Sequence, residues 1–288
     1  MGRVGIVGLG IMGSSYAKNL RAAGVEVSGA DPVAEARTRL EDMGGTAHQT
    51  IGDWLGDCDL VIISLSAPGI LREVAAQLAN ILSPGRVVLE TGTFALADKE
   101  AAHDTLAGKG IHLLDCPVSG TGAQAAVGDL VMMASGEADA IAHARPYMKT
   151  FTKKVVEAGA FGMGSRLKYV ANHAVALHNA AAAETLAYVD ALGIDRDLAF
   201  DMLTNGAGQS KMSDLRMPLM TSGDYDPPTA SLKMFEKDLS VIGNDLRRLK
   251  LDVPLFDVVD ALYKKASAAL PETYDTAAVF EVYRKPGA

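Results

Sequence analysis

Lys168 sits in the stretch GMGSRLKYVANH, residues 162–173, at the head of an alanine-rich run. If the run is helical, Asn172 falls one turn beyond Lys168 on the same face, and Asn179 returns to that face after about three turns. One helix would then present a cation and two amides in a row. A lysine whose stem packs while its head reaches water gives the same pattern, so the row alone does not define a site. A second group carries a more specific chemistry: Gly8, Leu9, Gly10, Ile11, Met12 and Gly13 spell G-x-G-x-x-G. The first glycine permits a tight turn, the second lets backbone approach a pyrophosphate, and the third lets helix and strand pack closely, with phosphate at the helix N-terminus. The turn follows the strand-like segment RVGIV and precedes a helix ending at Gly24, and the next strand-like segment, VEVSGAD, ends in Asp31, 21 positions beyond Gly10. This setting reads as dinucleotide binding. A carboxylate there accepts hydrogen bonds from both ribose hydroxyls and repels a 2′-phosphate, which selects NAD; Arg37 and Arg39 are near enough to leave NADP acceptance open. Asp31 and Pro32 would equally serve to start the next helix, around Val33, as cap and first-turn residue.

These residues need a scaffold, and the chain supplies one by alternation. Strand patterns at 60–65, 86–90 and 111–114 interleave with helical patterns after Pro68 and from about Leu96. Such alternation indicates a parallel doubly wound sheet, whose ligands sit outside the carboxyl ends of the strands. Leu65 and Ser66, Thr91 to Thr93, and Asp115 to Gly122 are three such ends. A further strand at 130–134 and a helix at about 137–149 extend the module, which closes near Ala160. Residues 164–192 then read as one helix of about 29 residues and roughly 40 Å, whose many alanines permit close packing as a buried spine. Helical segments follow at about 196–204, 210–221, 230–249 and 254–269, separated by GAGQ, SGDYDPP and LDVP. The expected architecture is an α/β Rossmann-type doubly wound N-terminal domain, residues 1–161, and an all-α C-terminal domain, residues 162–288, joined by a long interdomain helix.

Composition narrows the function. With 288 residues and 49% apolar content the chain can bury a well-developed core. A net charge of -8 argues against nucleic acid or an anionic membrane as partner. Two cysteines, Cys58 and Cys116, are too few for a disulfide framework or a cysteine-rich zinc site, which favours a reducing compartment. The N-terminal residues lack a signal-peptide layout, and no apolar run is long enough to span a bilayer, so a cytoplasmic location is expected. His173 and His178 are five apart and point to different helix faces, so no metal site is expected. Cys116 reads as a small packed residue, and Ser119 lacks the G-x-S-x-G context of a hydrolase nucleophile.

Four segments, GLGIMG with KNL, DCPVSG followed by GDLVMMASG, GMGSRLKYVANH, and MFEKDL, resemble in order and spacing the β-hydroxyacid dehydrogenase family. The resemblance covers nearly the whole chain, and the segment from Met217 to Leu239 looks more like the L-threonate dehydrogenase branch than like 3-hydroxyisobutyrate dehydrogenase or tartronate semialdehyde reductase. It implies NAD(P)-dependent interconversion of a small 3-hydroxy acid and its 3-oxo acid or semialdehyde. It implies Lys168 as general acid/base, Asn172 as a substrate-orienting residue, and Ser119 and Gly120 as the holders of the substrate carboxylate. Thr93 and Lys237 would lie beside the cofactor, with Lys237 and Asp238 as a plain surface ion pair the alternative. The family's dimers and tetramers, formed through the helical domain, imply a homodimer or homotetramer.

The implied chemistry is physically coherent. Oxidising an alcohol requires a base within hydrogen-bond reach of the hydroxyl while a nicotinamide accepts hydride. Burial of Lys168 among Leu167, Val170 and packed alanines, near a positive nicotinamide ring, would favour the neutral amine that a base needs. Three departures from the family pattern stand out. Ser-Gly-Gly is here Ser119, Gly120 and Thr121, so Thr121 would add a side chain to the carboxylate pocket. D-x-S-T is here Glu90, Thr91, Gly92 and Thr93, one hydroxyl fewer. The Asn-Asn pair is here Asn172 and His173. Two other classes keep the glycine turn: a catalytically silent NAD-binding sensor, which has no need for Lys168, Asn172 and Ser119 together, and an imine reductase, which usually replaces the lysine.

Overall fold

Short apolar, β-branched runs build the sheet, and glycine turns return the chain between them. The computed structural model describes residues 2–284; residue 1 and residues 285–288, which the two expected domains include, lie outside the described residues. The chain opens with strand β1 (Arg3–Val7), helix α1 (Ile11–Ala22), β2 (Glu26–Ala30), α2 (Ala34–Asp42) and β3 (Thr46–His48). It continues with β4 (Leu60–Ile63), α3 (Pro68–Ile81), β5 (Val87–Glu90), α4 (Leu96–Ala107) and β6 (His112–Asp115). These six strands are parallel in the order β3-β2-β1-β4-β5-β6. β4 and β5 are buried along their whole length, as central parallel strands covered on both faces must be.

The expected parallel sheet needs correction at its far edge. After β6 come β7 (Val118–Ser119), the short α5 (Gly122–Ala126) and β8 (Leu130–Ser135), and β8 runs antiparallel to both β6 and β7. The segment between β6 and β8 pairs back on β8 through β7 and holds only the short α5, so no full crossover helix carries the chain back to the start of a parallel strand. Helix α6 (Ala138–Phe151) then leads to β9 (Thr152–Gly159), parallel to β8. β9 left no strand signal because its sequence, TKKVVEAG, is mostly half-buried or exposed.

The chain divides into two compact units between Lys168 and Tyr169, within helix α7 (Met163–Leu192). The second unit continues with α8 (Arg196–Asn205), α9 (Lys211–Ser222), α10 (Leu232–Arg248) and α11 (Pro254–Ala269). Its core gathers Leu186, Met217, Leu239, Phe256, Tyr263 and Phe280. On α7 the buried residues Ser165, Tyr169, Asn172, Ala176, Asn179, Ala183 and Leu186 recur at alternating spacings of four and three, one stripe of the helix. Among the described residues no helix is long and apolar enough to cross a membrane. Both cysteines are buried; burial pushes the Cys58 thiol up to about 11 and the Cys116 thiol well above its ordinary value, which suits packed side chains rather than nucleophiles.

The glycine turn separates packing from openness residue by residue. Gly8 has φ +94°, and a Cβ there would lie 2.2 Å from the Ser64 carbonyl oxygen. A Cβ on Gly13 would lie 1.9 Å from the Gly8 carbonyl oxygen, so the third glycine lets α1 lie against β1. A Cβ on Gly10 would meet nothing within 4 Å. Gly13→Ala is therefore expected to destabilise the protein by ~1–3 kcal/mol through overpacking, read as a lower Tm. Gly10→Ala is expected to keep the parent Tm and lose about tenfold in dinucleotide affinity, ~1.4 kcal/mol. Equal Tm losses for the two would refute the assignment of openness to Gly10.

Candidate active site

Helix α1 begins without a side-chain cap and with no acidic residue in its first turn. Its first N–H groups are thus not capped by a side chain of the described residues, and open space lies at Gly10 beside them. This arrangement fits a pyrophosphate. Leu9 and exposed Ile11 line the turn, with Met12 half-buried. Asp31 follows β2 and accepts from the Leu9 N–H through Oδ2 at 2.7 Å and from the Val33 N–H through Oδ1 at 2.8 Å. The cap reading of Asp31 is thereby corrected: α2 starts at Ala34 after Val33, so Asp31 braces the turn two residues ahead instead of capping the helix. A carboxylate accepts at about four lone-pair positions, so Asp31 keeps acceptor capacity for a ribose diol. Arg37 donates to the Asp31 and Pro32 carbonyls and Arg39 to the Leu9 carbonyl, so both guanidinium groups already serve the loop backbone.

The carboxyl ends of the central strands meet in a buried charge cluster that the sequence reading did not single out. Glu90 ends β5, Asp115 ends β6, Lys99 comes from α4, and all three side chains are fully buried. The Lys99 ammonium lies 2.6 Å from Glu90 Oε2 and 2.7 Å from Asp115 Oδ1, and it donates to the Gly92 carbonyl at 2.7 Å. Burial by itself would lower the pKa of Lys99, but Asp115 and Glu90 together outweigh it and hold the pKa above the ordinary lysine value. For Glu90 burial wins, raising its pKa against the pull of Lys99. The signal was present in the strings VVLE and HLLD, where a fully buried acid closes the strand directly after apolar residues.

This cluster accounts for the departure at Gly92. Glu90 Oε1 folds back to accept from the Gly92 N–H at 2.7 Å, and a Cβ on Gly92 would lie 2.7 Å from that oxygen and 2.5 Å from the Phe94 ring. The longer acid occupies the space a side chain at 92 would need. Thr91 spends its hydroxyl on the Ile63 carbonyl. Thr93 is half-buried in the loop leading to α4, and Leu65 and Ser66 follow the end of β4 before α3.

Ser119 ends β7 and Gly120 follows it with φ +143°, a conformation reserved for glycine; a Cβ there would also strike Leu130 at 2.5 Å. Thr121 caps α5: its Oγ1 accepts from the Gln124 N–H and its own N–H donates to Gln124 Oε1. Its backbone N–H is thus committed, and the hydroxyl proton is what it can still donate. α7 is rooted in the ends of β6 and β8. The Ser165 N–H donates to Asp115 Oδ2 at 2.7 Å and the Ser165 hydroxyl to Asp115 Oδ1 at 2.8 Å, while the Gly164 N–H donates to Ser135 Oγ at 2.9 Å. Half-buried Lys168 follows Ser165 by three residues on that helix. The expected apolar surroundings of Lys168 need correction, because Leu167 is 38% and Val170 68% exposed. Both fall on the side of α7 away from its buried stripe.

In the second unit Asn172 is buried and its Nδ2 donates to Asp238 Oδ2 at 2.8 Å. Asp238 Oδ1 lies 3.1 Å from the Lys237 ammonium. One carboxylate therefore meets both Asn172 and Lys237. Asn179 does not extend the row, since it is fully buried with Nδ2 toward the Tyr263 and Thr276 oxygens. His173 stacks on Phe256 with ring centroids 5.3 Å apart and planes at 10°, a packing contact an asparagine could not make. Among the described residues no three His, Cys, Asp or Glu side chains are grouped to hold a metal ion.

Comparison with known proteins gives two family-model matches. Residues 3–159 match the NAD-binding domain of 6-phosphogluconate dehydrogenase, and residues 162–283 match the NAD-binding domain of NADP-dependent 3-hydroxyisobutyrate dehydrogenase. The chain is 33% identical to an L-threonate dehydrogenase of Cupriavidus necator over 97% of this chain and 95% of that one. A 3-hydroxyisobutyrate dehydrogenase of Mycobacterium tuberculosis, solved with L-serine, superposes with a TM-score of 0.92 at 25% identity, covering 99% of this chain and 100% of that one. An imine reductase from a Pseudomonas species shares the fold at a TM-score of 0.62 and 20% identity, covering 98% and 99%. With the glycine turn, the strand-end loops and the lysine helix all inside the matched regions, the chain belongs to the β-hydroxyacid dehydrogenase family of NAD(P)-dependent oxidoreductases.

Proposed function

We propose that this protein interconverts a small 3-hydroxy acid and its 3-oxo acid or semialdehyde with NAD, and that Lys168 is the proton-transfer group. The observation that carries the reading is the rooting of α7 in Asp115 and Ser135, the last residues of β6 and β8. Lys168 thereby stands one turn from the end of β6, which also leads into the Ser119–Thr121 loop. When bound, NAD would supply the hydride acceptor that oxidation of the alcohol needs. Gly8 to Gly13 with Leu65 and Ser66 would hold its phosphates and Asp31 its ribose, while Thr93 and Lys237 would line the nicotinamide side.

The proton is the chain's own task. In the oxidative direction Lys168 Nζ takes the proton from the substrate hydroxyl; in the reductive direction its ammonium returns one to the carbonyl oxygen. Ser119, the Gly120 backbone and the Thr121 hydroxyl hold the substrate carboxylate, which fixes the distance from the acid group to the reacting carbon. Asn172, turned by its bond to Asp238, offers its Oδ1 to a substrate hydroxyl. Asp31 supports NAD over NADP because a fixed carboxylate repels a 2′-phosphate, and because Arg37 and Arg39 are engaged with loop carbonyls.

Self-association through the helical unit is part of the reading. Outside the buried stripe of α7, Val170, Tyr188 (65% exposed) and Leu192 stand in solvent, and Leu198, Met202, Leu255 and Val258 add exposed apolar surface on α8 and α11. A homodimer or homotetramer would cover them.

A panel of L-threonate, L-serine, 3-hydroxyisobutyrate and glycerate with NAD and NADP tests the substrate class, L-threonate leading because of the relative of that name. Lys168→Ala is expected to lower kcat by ~10²–10⁴-fold with dinucleotide affinity unchanged; undiminished turnover would sink the role of Lys168. Higher kcat/KM with NADP than with NAD would overturn the reading of Asp31. Light scattering is expected to give a mass of two or four chains, and a mass of one chain would remove the assembly.

A further inference from the structure

The chain joins a carboxylate at the end of one strand to the first turn of the helix that carries Lys168. Asp115 accepts four hydrogen bonds: from the Lys99 ammonium and the Ser165 hydroxyl at Oδ1, and from the Ser165 N–H and the Ser135 hydroxyl at Oδ2. Two come from one residue of α7, which fixes both the height of the helix and its rotation, since an N–H runs along the axis and a side chain projects across it. A negative group at a helix N-terminus is also favoured by the helix dipole. Gly164 closes the joint: a Cβ there would lie 2.4 Å from the Met133 carbonyl oxygen and 2.7 Å from that of Asp115, so at this residue helix backbone abuts strand backbone directly.

The same residue governs the loop on its other side. Asp115 is four residues ahead of Ser119, and the intervening backbone is pinned by the Cys116 N–H to the Glu90 carbonyl at 2.8 Å and by the Met133 N–H to the Pro117 carbonyl at 3.0 Å. Little freedom remains between the Asp115 carboxylate and Ser119. We propose that Asp115, held by Lys99, is the positioning residue that sets Lys168 at its working distance from the substrate-carboxylate loop. Ser165 transmits the constraint. Asp115 touches neither substrate nor cofactor in this role; it acts through the helix. The proposal rests on the reading of Lys168 as the proton-transfer group.

The test pairs Ser165→Ala, which removes one bond and keeps the buried charges, with Asp115→Asn, each made in the parent and in Lys168→Ala. Four measurements apply: kcat and KM on the best substrate of the panel, NADH affinity by fluorescence, and hydrogen exchange of residues 163–168 in the cofactor-free protein. Either substitution is expected to lower kcat about tenfold with NADH affinity unchanged and to speed exchange at 163–168. Neither should lower the residual rate of Lys168→Ala further, because a group acting only through Lys168 has nothing left to act on. Unchanged kcat in both single variants overturns the proposal, as does a loss that repeats in full in the Lys168→Ala background. If Asp115→Asn does not fold, the Ser165→Ala pair decides by the same criteria. Failure of the underlying reading is seen separately, as undiminished turnover in Lys168→Ala before any second substitution is added.

Discussion

A single ammonium with no solvent around it, Lys99 between Glu90 and Asp115, is the interaction on which the arrangement of the first unit depends. The ammonium donates to Asp115 Oδ1 and the Gly92 carbonyl and lies 2.6 Å from Glu90 Oε2 as an ion pair. Burying such charges costs several kcal/mol per ion, and the attraction between them repays that only when each remaining polar atom is satisfied. Here Gly92, Ser135 and Ser165 supply the remaining donors to the carboxylates. Removing one member of such a set typically costs ~3–5 kcal/mol, because it strands the others. The ends of β5 and β6 and the root of α7 are therefore fixed together.

Two helix N-termini of the first unit, those of α1 and α7, are treated in opposite ways. α7 has its first amides taken by Asp115 and Ser135, so its end is closed by the protein itself. α1 has no side-chain cap, and the glycine beside it leaves open space. The closed terminus secures a side chain three residues on, and the open one is available to a ligand's phosphate. The difference follows from what the rest of the fold delivers to each end: a buried carboxylate to one, glycine backbone to the other.

The second unit solves a different problem, that of packing a 30-residue helix rich in alanine. Small residues let its buried stripe approach its neighbours, and the polar groups that fall on this stripe find partners: Asn172 with Asp238, Asn179 with Tyr263 and Thr276. A buried pair, Arg216 and Asp275, ties α9 to the segment after α11, where Asp275 also accepts from Thr229 and the Ala277 N–H. Polar residues of α7 thus divide by depth. Asn179 belongs wholly to the core, while Asn172 is held by a carboxylate that also meets Lys237.

The sequence by itself determined the nucleotide fold and the positions of the long helices, because each is written in local pattern: a glycine spacing between strand and helix, and a 3.6-residue period; it marked Lys168 as a candidate only through the order of motifs shared with a family. The helix predicted at 254–269 coincides with α11, and the one at 164–192 differs from α7 by one residue. What the sequence left dark depends on partners far apart in the chain. β9 has no apolar period of its own and forms because β8 offers it an edge. The antiparallel turn of β8 follows from β7 pairing back on it. Lys99, Glu90, Asp115 and Ser165 look like four unrelated polar residues until the sheet brings the ends of β5 and β6 against α4 and α7. Only then does charge pairing, which depends on distance in space and not along the chain, decide that the acid ending HLLD anchors the helix whose lysine the sequence had already marked.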